Sequence, residues 1–288
     1  MILVTGAAGS LGGLVLQRIS RRADVVAASR TPELVQAEVP VRRIDFDDPS
    51  TLAKGFAGAH VVLLVSAGYG EDDEVIARHQ AAIEAAERAG VGHIVYTSLT
   101  GSGDHLATAL AHRWTERRLM AGRAYWTVLR NGLYAELSIP DARHAAATGR
   151  LTGPQGAGKL ASVAREDLAA AAAVTLDRPA VHRNKIYELV GDTALGGADI
   201  ARAVAAATGQ QIAYEPIALS ELRSELRTSG VPDWQIPMVV SAYANIAAGF
   251  LNSTESHLTE LLGRAPRPAL DVITAALGSY EAGRHGHD

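Results

Sequence analysis

The chain opens Ile2-Leu3-Val4-Thr5-Gly6-Ala7-Ala8-Gly9-Ser10-Leu11-Gly12-Gly13: a short apolar run, glycines at G-x-x-G-x-x-G spacing, then a helical pattern. No other feature restricts the fold as strongly. A strand that turns at once into a helix leaves the first N–H groups of that helix without intrahelical partners and sets its positive dipole end beside the turn. Gly6 permits the sharp turn, Gly9 lets backbone N–H groups approach a pyrophosphate, and Gly12 lets the helix lie close to the sheet. Ala8, Ser10 and Leu11 belong to the same cradle. The spacing is not the commoner G-x-G-x-x-G. Three glycines also fit a purely structural turn. The strand before them and the helix after them favour a nucleotide site.

Apolar runs alternate with helical patterns through the first half. Strands are expected at Ile2–Thr5, Val25–Ala28, Val41–Asp45, Val61–Ser66, His93–Ser98 and Trp126–Arg130. Helices are expected at Ser10–Arg22, Pro49–Phe56, Asp72–Ala89 and Leu106–Ala121. This alternation implies an α/β fold, a Rossmann-type doubly wound parallel sheet with helices on both faces. Ligands in such sheets sit at the C-terminal strand ends. Gly6–Leu11, Ser29-Arg30, Asp45-Phe46, Ser66–Gly68, Thr97-Ser98 and Asn131–Tyr134 occupy those ends. After residue 132 the pattern changes to a glycine-rich stretch, Gly149–Gly158, and shorter elements. Residues 1–132 read as the nucleotide-binding domain. Residues 133–288 read as a smaller C-terminal α/β substrate lobe, some segments of which return to the first domain. Glu281–Asp288 reads as a frayed end, where His285 and His287 offer at most a weak metal chelate.

Composition narrows the partners. Of 288 residues 48% are apolar, enough for a sizeable core, and the net charge of −4 comes without a basic stripe, so nucleic acid is not expected. There is no cysteine, hence neither disulfide nor thiolate chemistry, and no clustered histidine pattern for a metal. The longest apolar stretches, such as Val61–Ala67, fall far short of a membrane span. No charged-then-apolar leader precedes the first strand. The expectation is a cytoplasmic protein. Its oligomeric state is not legible.

A short-chain dehydrogenase ordinarily carries Tyr-x-x-x-Lys, the lysine lowering the tyrosine pKa so that it can exchange a proton with substrate. None of the eight tyrosines here has lysine four residues on. The helix at the matching place carries His112-Arg113-Trp114-Thr115-Glu116. His112 and Glu116, at i and i+4, share a face. They read either as a proton-positioning pair or as a surface ion pair.

The motifs Thr5–Gly12, Tyr96-Thr97-Ser98-Leu99, His112-x-x-Thr115-Glu116, Leu129-Arg130-Asn131-Gly132-x-Tyr134, Gly158-Lys159-x-Ala161-Ser162 with Arg165-x-Asp167, Tyr187-Glu188-Leu189-x-Gly191-Asp192 and Val231-Pro232-Asp233 span nearly the whole chain. Together they resemble the NmrA-like branch of the atypical short-chain dehydrogenase/reductases, most closely the bacterial NAD(P)H:quinone oxidoreductase type 2 proteins. One departure is Arg117, where those proteins often have lysine. Arginine cannot donate a proton near neutral pH. The resemblance implies a nicotinamide cofactor, an adenine contact at Asp45, and a helical cover near Trp234, Met238 and Tyr243. Ser66, Ala67 and Ser98 fall at the strand ends that would face the cofactor. Arg30 at the second strand tip can fork onto a 2′-phosphate, with Ser29 adding a hydrogen bond, so NADPH is favoured and NADH remains possible. Asn131 and Tyr134 would face the nicotinamide and the substrate. The resemblance further implies reduction of a small planar aromatic such as a quinone. Alternatives are a non-catalytic NAD(P) sensor of NmrA type, or a reductase of an aromatic polyketide or dye.

Overall fold

A computed structural model describes residues 1–67 and 70–284; Gly68, His285 and His287 lie outside them. The first half runs β1 (Ile2–Val4), α1 (Ser10–Ile19), β2 (Val25–Ser29), β3 (Val41–Arg43), α2 (Pro49–Phe56), β4 (Val61–Leu64), α3 (Asp72–Arg88), β5 (His93–Leu99), α4 (Ala109–Met120) and β6 (Tyr125–Asn131). The second half runs α5 (Ile139–Thr148), β7 (Arg150–Gly153), α6 (Arg165–Asp177), β8 (Lys185–Leu189), α7 (Gly197–Thr208), β9 (Ala213–Pro216), α8 (Leu219–Thr228), α9 (Ile236–Ala247), α10 (Leu258–Leu262) and α11 (Ala269–Arg284).

Seven strands form one parallel sheet in the order β3-β2-β1-β4-β5-β6-β8. The order reverses between β1 and β4, which makes their C-terminal ends the switch point. The central strands are buried on both faces and accordingly read as continuous apolar runs. Val4, Leu11, Val15, Leu16, Leu168 and Leu176 belong to the core on one face, where α1 packs on α6 and α6 on α10. Leu52, Phe56, Ile83, Tyr96 and Leu119 belong to the other, beneath α2, α3 and α4. Asp48 starts α2: its carboxylate accepts from the Ser50 N–H, with Pro49 in the first turn.

Most expected strands end a residue or two from their expected limits, and β4 stops at Leu64 rather than Ser66. α5, β7 and α11 were not foreseen. β7 lies within the glycine-rich stretch and pairs in parallel with β9, from Arg150 opposite Ala213 to Gly153 opposite Pro216. Ala142, Ala145, Leu151, Val204, Ile273 and Leu277 form a separate core around this two-stranded sheet. Residues 165–189, placed with the second lobe by a division at 132, run back to the large sheet: α6 packs on α1, and β8 pairs with β6. No helix among the described residues is long and apolar enough to cross a membrane.

Candidate active site

Among the described residues, two cavities open where the parallel strands end. The first, about 420 Å³, lies over the ends of β1, β2, β3 and β4 and is lined by Gly6, Ala8, Gly9, Arg30, Asp45, Ser66 and Ala67 among others. Seven of the ten expected cofactor residues therefore share one cavity. Ser10 and Leu11 begin α1 beside it. Gly6 has φ +62°, where a side chain would be strained. A β-carbon on Gly12 would collide with the Gly6 carbonyl group, so α1 sits against the turn only because Gly12 lacks one. Gly9 differs: its φ of −82° and ψ of 162° suit any residue, and a β-carbon there would meet only the Gly6 oxygen, at 3.2 Å. As N-cap it lends α1 no side-chain hydrogen bond. Its bare surface faces the cavity, leaving the first N–H groups of α1 open to an anion. The residues present fit a dinucleotide pyrophosphate.

The wall made by residues 65–67 is fixed by three buried side chains. Past Leu64 the backbone leaves the ladder, and its N–H groups need other acceptors. Val65 N–H donates to Thr5 Oγ1 at 3.0 Å, Ser66 N–H to Thr97 Oγ1 at 2.9 Å, and Ala67 N–H to His79 Nε2 at 3.0 Å. Thr115 donates its hydroxyl to the Ala111 carbonyl at 2.7 Å, so at His79 Nδ1, 2.8 Å away, it accepts. His79 is thus held neutral in one tautomer. Burial drives its pKa down to about 3.

Several sequence expectations change here. His112 and Glu116 do not pair. The His112 Nδ1 lies 2.8 Å from the Tyr96 hydroxyl, and burial lowers the imidazole pKa to about 4. Glu116 instead meets Arg130 at 2.7 Å and Arg113 at 2.8 Å, and accepts from Ser98 Oγ at 2.6 Å. Ser98 therefore spends its hydroxyl on a buried ion cluster rather than facing the first cavity. The Ser29 hydroxyl accepts from the Thr31 N–H at 3.0 Å, while exposed Arg30 stays at the cavity rim. Phe46, expected at a ligand-binding strand end, lines the same cavity; Arg78 also lines it and was not foreseen, and it pairs with Asp47 at 2.7 Å. Nothing local marks Arg78, which a helix 31 residues further along the chain brings to Asp47. His79 carries a weak signal, as a lone histidine on the apolar face of α3.

The second cavity, about 360 Å³, lies beyond the end of β6, between α5, α7 and α9. Parallel strands stand about 4.8 Å apart, so β6 lies only about 10 Å across the sheet from β4. Leu133, Tyr134, Leu160, Met238, Ala242 and Tyr243 give the cavity apolar and aromatic walls. Trp234 is not among its lining. The Arg165 guanidinium lies over the Tyr134 ring, 4.8 Å from its centroid. Asn131 is buried and lines neither cavity, and its Oδ1 meets no donor among the described residues. Such an acceptor is normally matched.

A family model described as NAD(P)H-binding matches residues 6–179. The sequence is 33% identical over 271 residues to quinone oxidoreductase 2 of Escherichia coli (strain K12), covering 91% of this chain and 94% of that protein. It is 26% identical over 293 residues to an NmrA-like family domain-containing oxidoreductase of Aspergillus flavus, covering 96% and 94%. Among solved structures, the Citrobacter sp. triphenylmethane reductase complexed with NADP(H) matches with a TM-score of 0.89 and 30% identity, covering 96% of this chain and all of that one (100%).

Proposed function

We propose that this chain, which belongs to the NAD(P)H-binding family and is an NAD(P)H-dependent oxidoreductase, reduces quinones or similarly planar aromatic electrophiles by two electrons, with NADPH as the preferred donor. The observation that carries this reading is the apolar second cavity beside the cofactor cavity, with no Tyr-x-x-x-Lys pair to serve it. An alcohol–ketone pair needs a placed acid, because an alkoxide is very unstable in water. A hydroquinone anion spreads its charge over a ring, and water can protonate it.

NADPH, when bound, supplies a hydride. The chain's part is binding, orientation and exclusion of water. Gly6, Ala8, Gly9, Ser10 and Leu11 would hold the pyrophosphate, Arg30 the 2′-phosphate and Asp45 the adenosine end. Ser66 and Ala67, pinned through Thr97 and His79, would form a rigid wall for the nicotinamide half. Tyr134 offers a ring face steadied by Arg165 for orienting the reactants, while Asn131, buried and outside both cavity linings, would brace the β6 end that leads to it. Leu133, Met238 and Ala242 keep water from the acceptor. The acceptor takes up two electrons with the hydride, and the remaining proton comes from solvent.

The test is NADPH oxidation by the purified protein across a panel of para-quinones, without added flavin or metal, using stereospecifically deuterated NADPH. Quinone-dependent turnover with an isotope effect on one face is expected. A protein that binds NADPH yet turns over no acceptor would overturn the reading and leave a dinucleotide sensor.

A further inference from the structure

Two arginines line the first cavity, and they are held differently. Arg30 stands exposed at the rim and takes part in no ion pair among the described residues. Arg78, on α3, is held from two sides. Its Nε donates to Asp47 Oδ1 at 2.7 Å, and its Nη2 lies 3.6 Å from Glu74 Oε2, one turn back on the same helix. Asp47 is steadied in turn, because its N–H donates to Asp45 Oδ1 at 3.2 Å. The Asp47 and Glu74 side chains are 54% and 56% exposed, so these ion pairs add little stability. What they do is keep a long side chain, itself only 20% exposed, in one place on the cavity wall.

Charge decides what Arg78 can recognise there. Asp47, Glu74 and Asp45 all act on its guanidinium, so three carboxylates surround one cation. An incoming phosphate would meet more negative than positive charge at this wall. Arg30 has no carboxylate partner of this kind and suits a 2′-phosphate. The carboxylates engage the guanidinium through its N–H groups, which lie in its plane, and such bonds leave the planar face able to stack. Leu34, Ile44 and Phe46 bring apolar surface to the same cavity. The ligand that matches a held guanidinium among hydrocarbon is a flat, uncharged heterocycle, and in a dinucleotide that part is the adenine.

We propose that Arg78 is an affinity-determining residue of this cavity, a stacking platform for the adenine ring that serves NADPH and NADH alike, while Arg30 reads the 2′-phosphate. This role rests on the reading in which the first cavity holds the dinucleotide. The two arginines then have separable signatures: loss of Arg78 lowers the affinity for every adenine-bearing ligand by one factor, and loss of Arg30 changes only the preference for a 2′-phosphate.

The test is calorimetry with 5′-AMP, ribose 5-phosphate, adenosine 2′,5′-bisphosphate, NADH and NADPH. Wild-type protein is expected to bind 5′-AMP at least about tenfold tighter than ribose 5-phosphate, the scale of one stacked base. Arg78→Ala is expected to weaken 5′-AMP, NADH and NADPH by a common factor of about tenfold, with the NADPH-to-NADH ratio kept as in wild type. Arg78→Lys keeps the charge and lacks the plane, and is expected to lose nearly as much. Affinity restored by lysine, or a loss confined to NADPH and the bisphosphate, would make Arg78 a phosphate contact and overturn the proposal. Unchanged affinities in both variants overturn it while leaving the cofactor reading in place. Equal wild-type affinities for 5′-AMP and ribose 5-phosphate overturn it as well, a comparison that needs no variant to fold. A wild-type protein that binds neither NADPH nor 5′-AMP removes the cofactor reading itself, and the platform with it.

Discussion

Gly9 and Gly12 are three residues apart, yet substituting them should do opposite things. A β-carbon on Gly12 would stand 2.8 Å from the Gly6 carbonyl carbon and nearer still to its oxygen, with Ala7 Cα at 3.2 Å. These are backbone atoms and cannot swing aside. Carbon pairs prefer about 3.5–4.0 Å, so α1 would have to retreat by roughly 1 Å. Leu11, Val15, Leu16 and Ile19 resist that retreat, since all four are buried in the core beneath α1. Overpacking of this kind costs about 1–3 kcal/mol. At about 2–4 °C per kcal/mol for a chain of this size, Gly12→Ala should melt roughly 2–12 °C lower without ligand. Gly9→Val meets a milder obstacle, because its backbone conformation is ordinary, its surface is open, and its β-carbon would press only on the Gly6 oxygen, at 3.2 Å. It should melt near wild type, but its side chain would fill the space where a pyrophosphate meets the α1 N–H groups. NADPH at a hundred times its Kd stabilises a binding-competent protein by about 2.7 kcal/mol, a shift of about 5–10 °C. The assay is a thermal melt of both variants with and without NADPH, beside circular dichroism. Gly9→Val should lose the ligand shift and keep the apo melting temperature; Gly12→Ala should lose apo stability. A ligand shift retained in Gly9→Val would place the pyrophosphate elsewhere. An unperturbed Gly12→Ala would mean that α1 does not rest on the turn.

Arg30→Ala should weaken NADPH by about 1–3 kcal/mol, the range of a charge-assisted hydrogen bond, and NADH hardly at all; equal losses measured by calorimetry would refute a 2′-phosphate contact. Stability should fall in mild acid. Burial holds His79 near a pKa of about 3 and His93 and His112 near about 4, so all three are neutral in the folded protein. In the unfolded chain they titrate near about 6.5, so below that pH the unfolded state binds protons that the native state does not. Their contribution is therefore complete above about pH 6.5 and is lost towards about pH 4, at up to about 1.4 kcal/mol per pH unit for each group. Denaturant titrations between those limits should show this slope, reduced by one group's share in His79→Gln, and a flat profile would contradict neutral burial.

Periodicity alone was enough for the β–α alternation, and glycine spacing for the helix that starts at Ser10. Both are local properties: runs such as Val61–Leu64 are apolar throughout because both faces of a parallel strand are covered. Arg30 and Asp45 were legible for the same reason, since strand ends can be counted along a chain. What the sequence could not decide was which of two local geometries prevails once distant groups arrive. His112 and Glu116 have the spacing of a helix pair, yet Arg130 from β6 and Ser98 from β5 claim the carboxylate, and Tyr96 claims the imidazole. β7 was hidden in a glycine-rich stretch because its hydrogen-bonding partner, β9, lies some sixty residues away. His79 acquires its place by accepting from the Ala67 N–H, a donor left over where β4 ends. Asp141 reads as an ordinary first-turn acid of a helix. Only the arrangement of α5, α7 and α9 makes it the one charged residue in the lining of the second cavity, because a side chain's neighbours belong to the tertiary structure and not to its position along the chain.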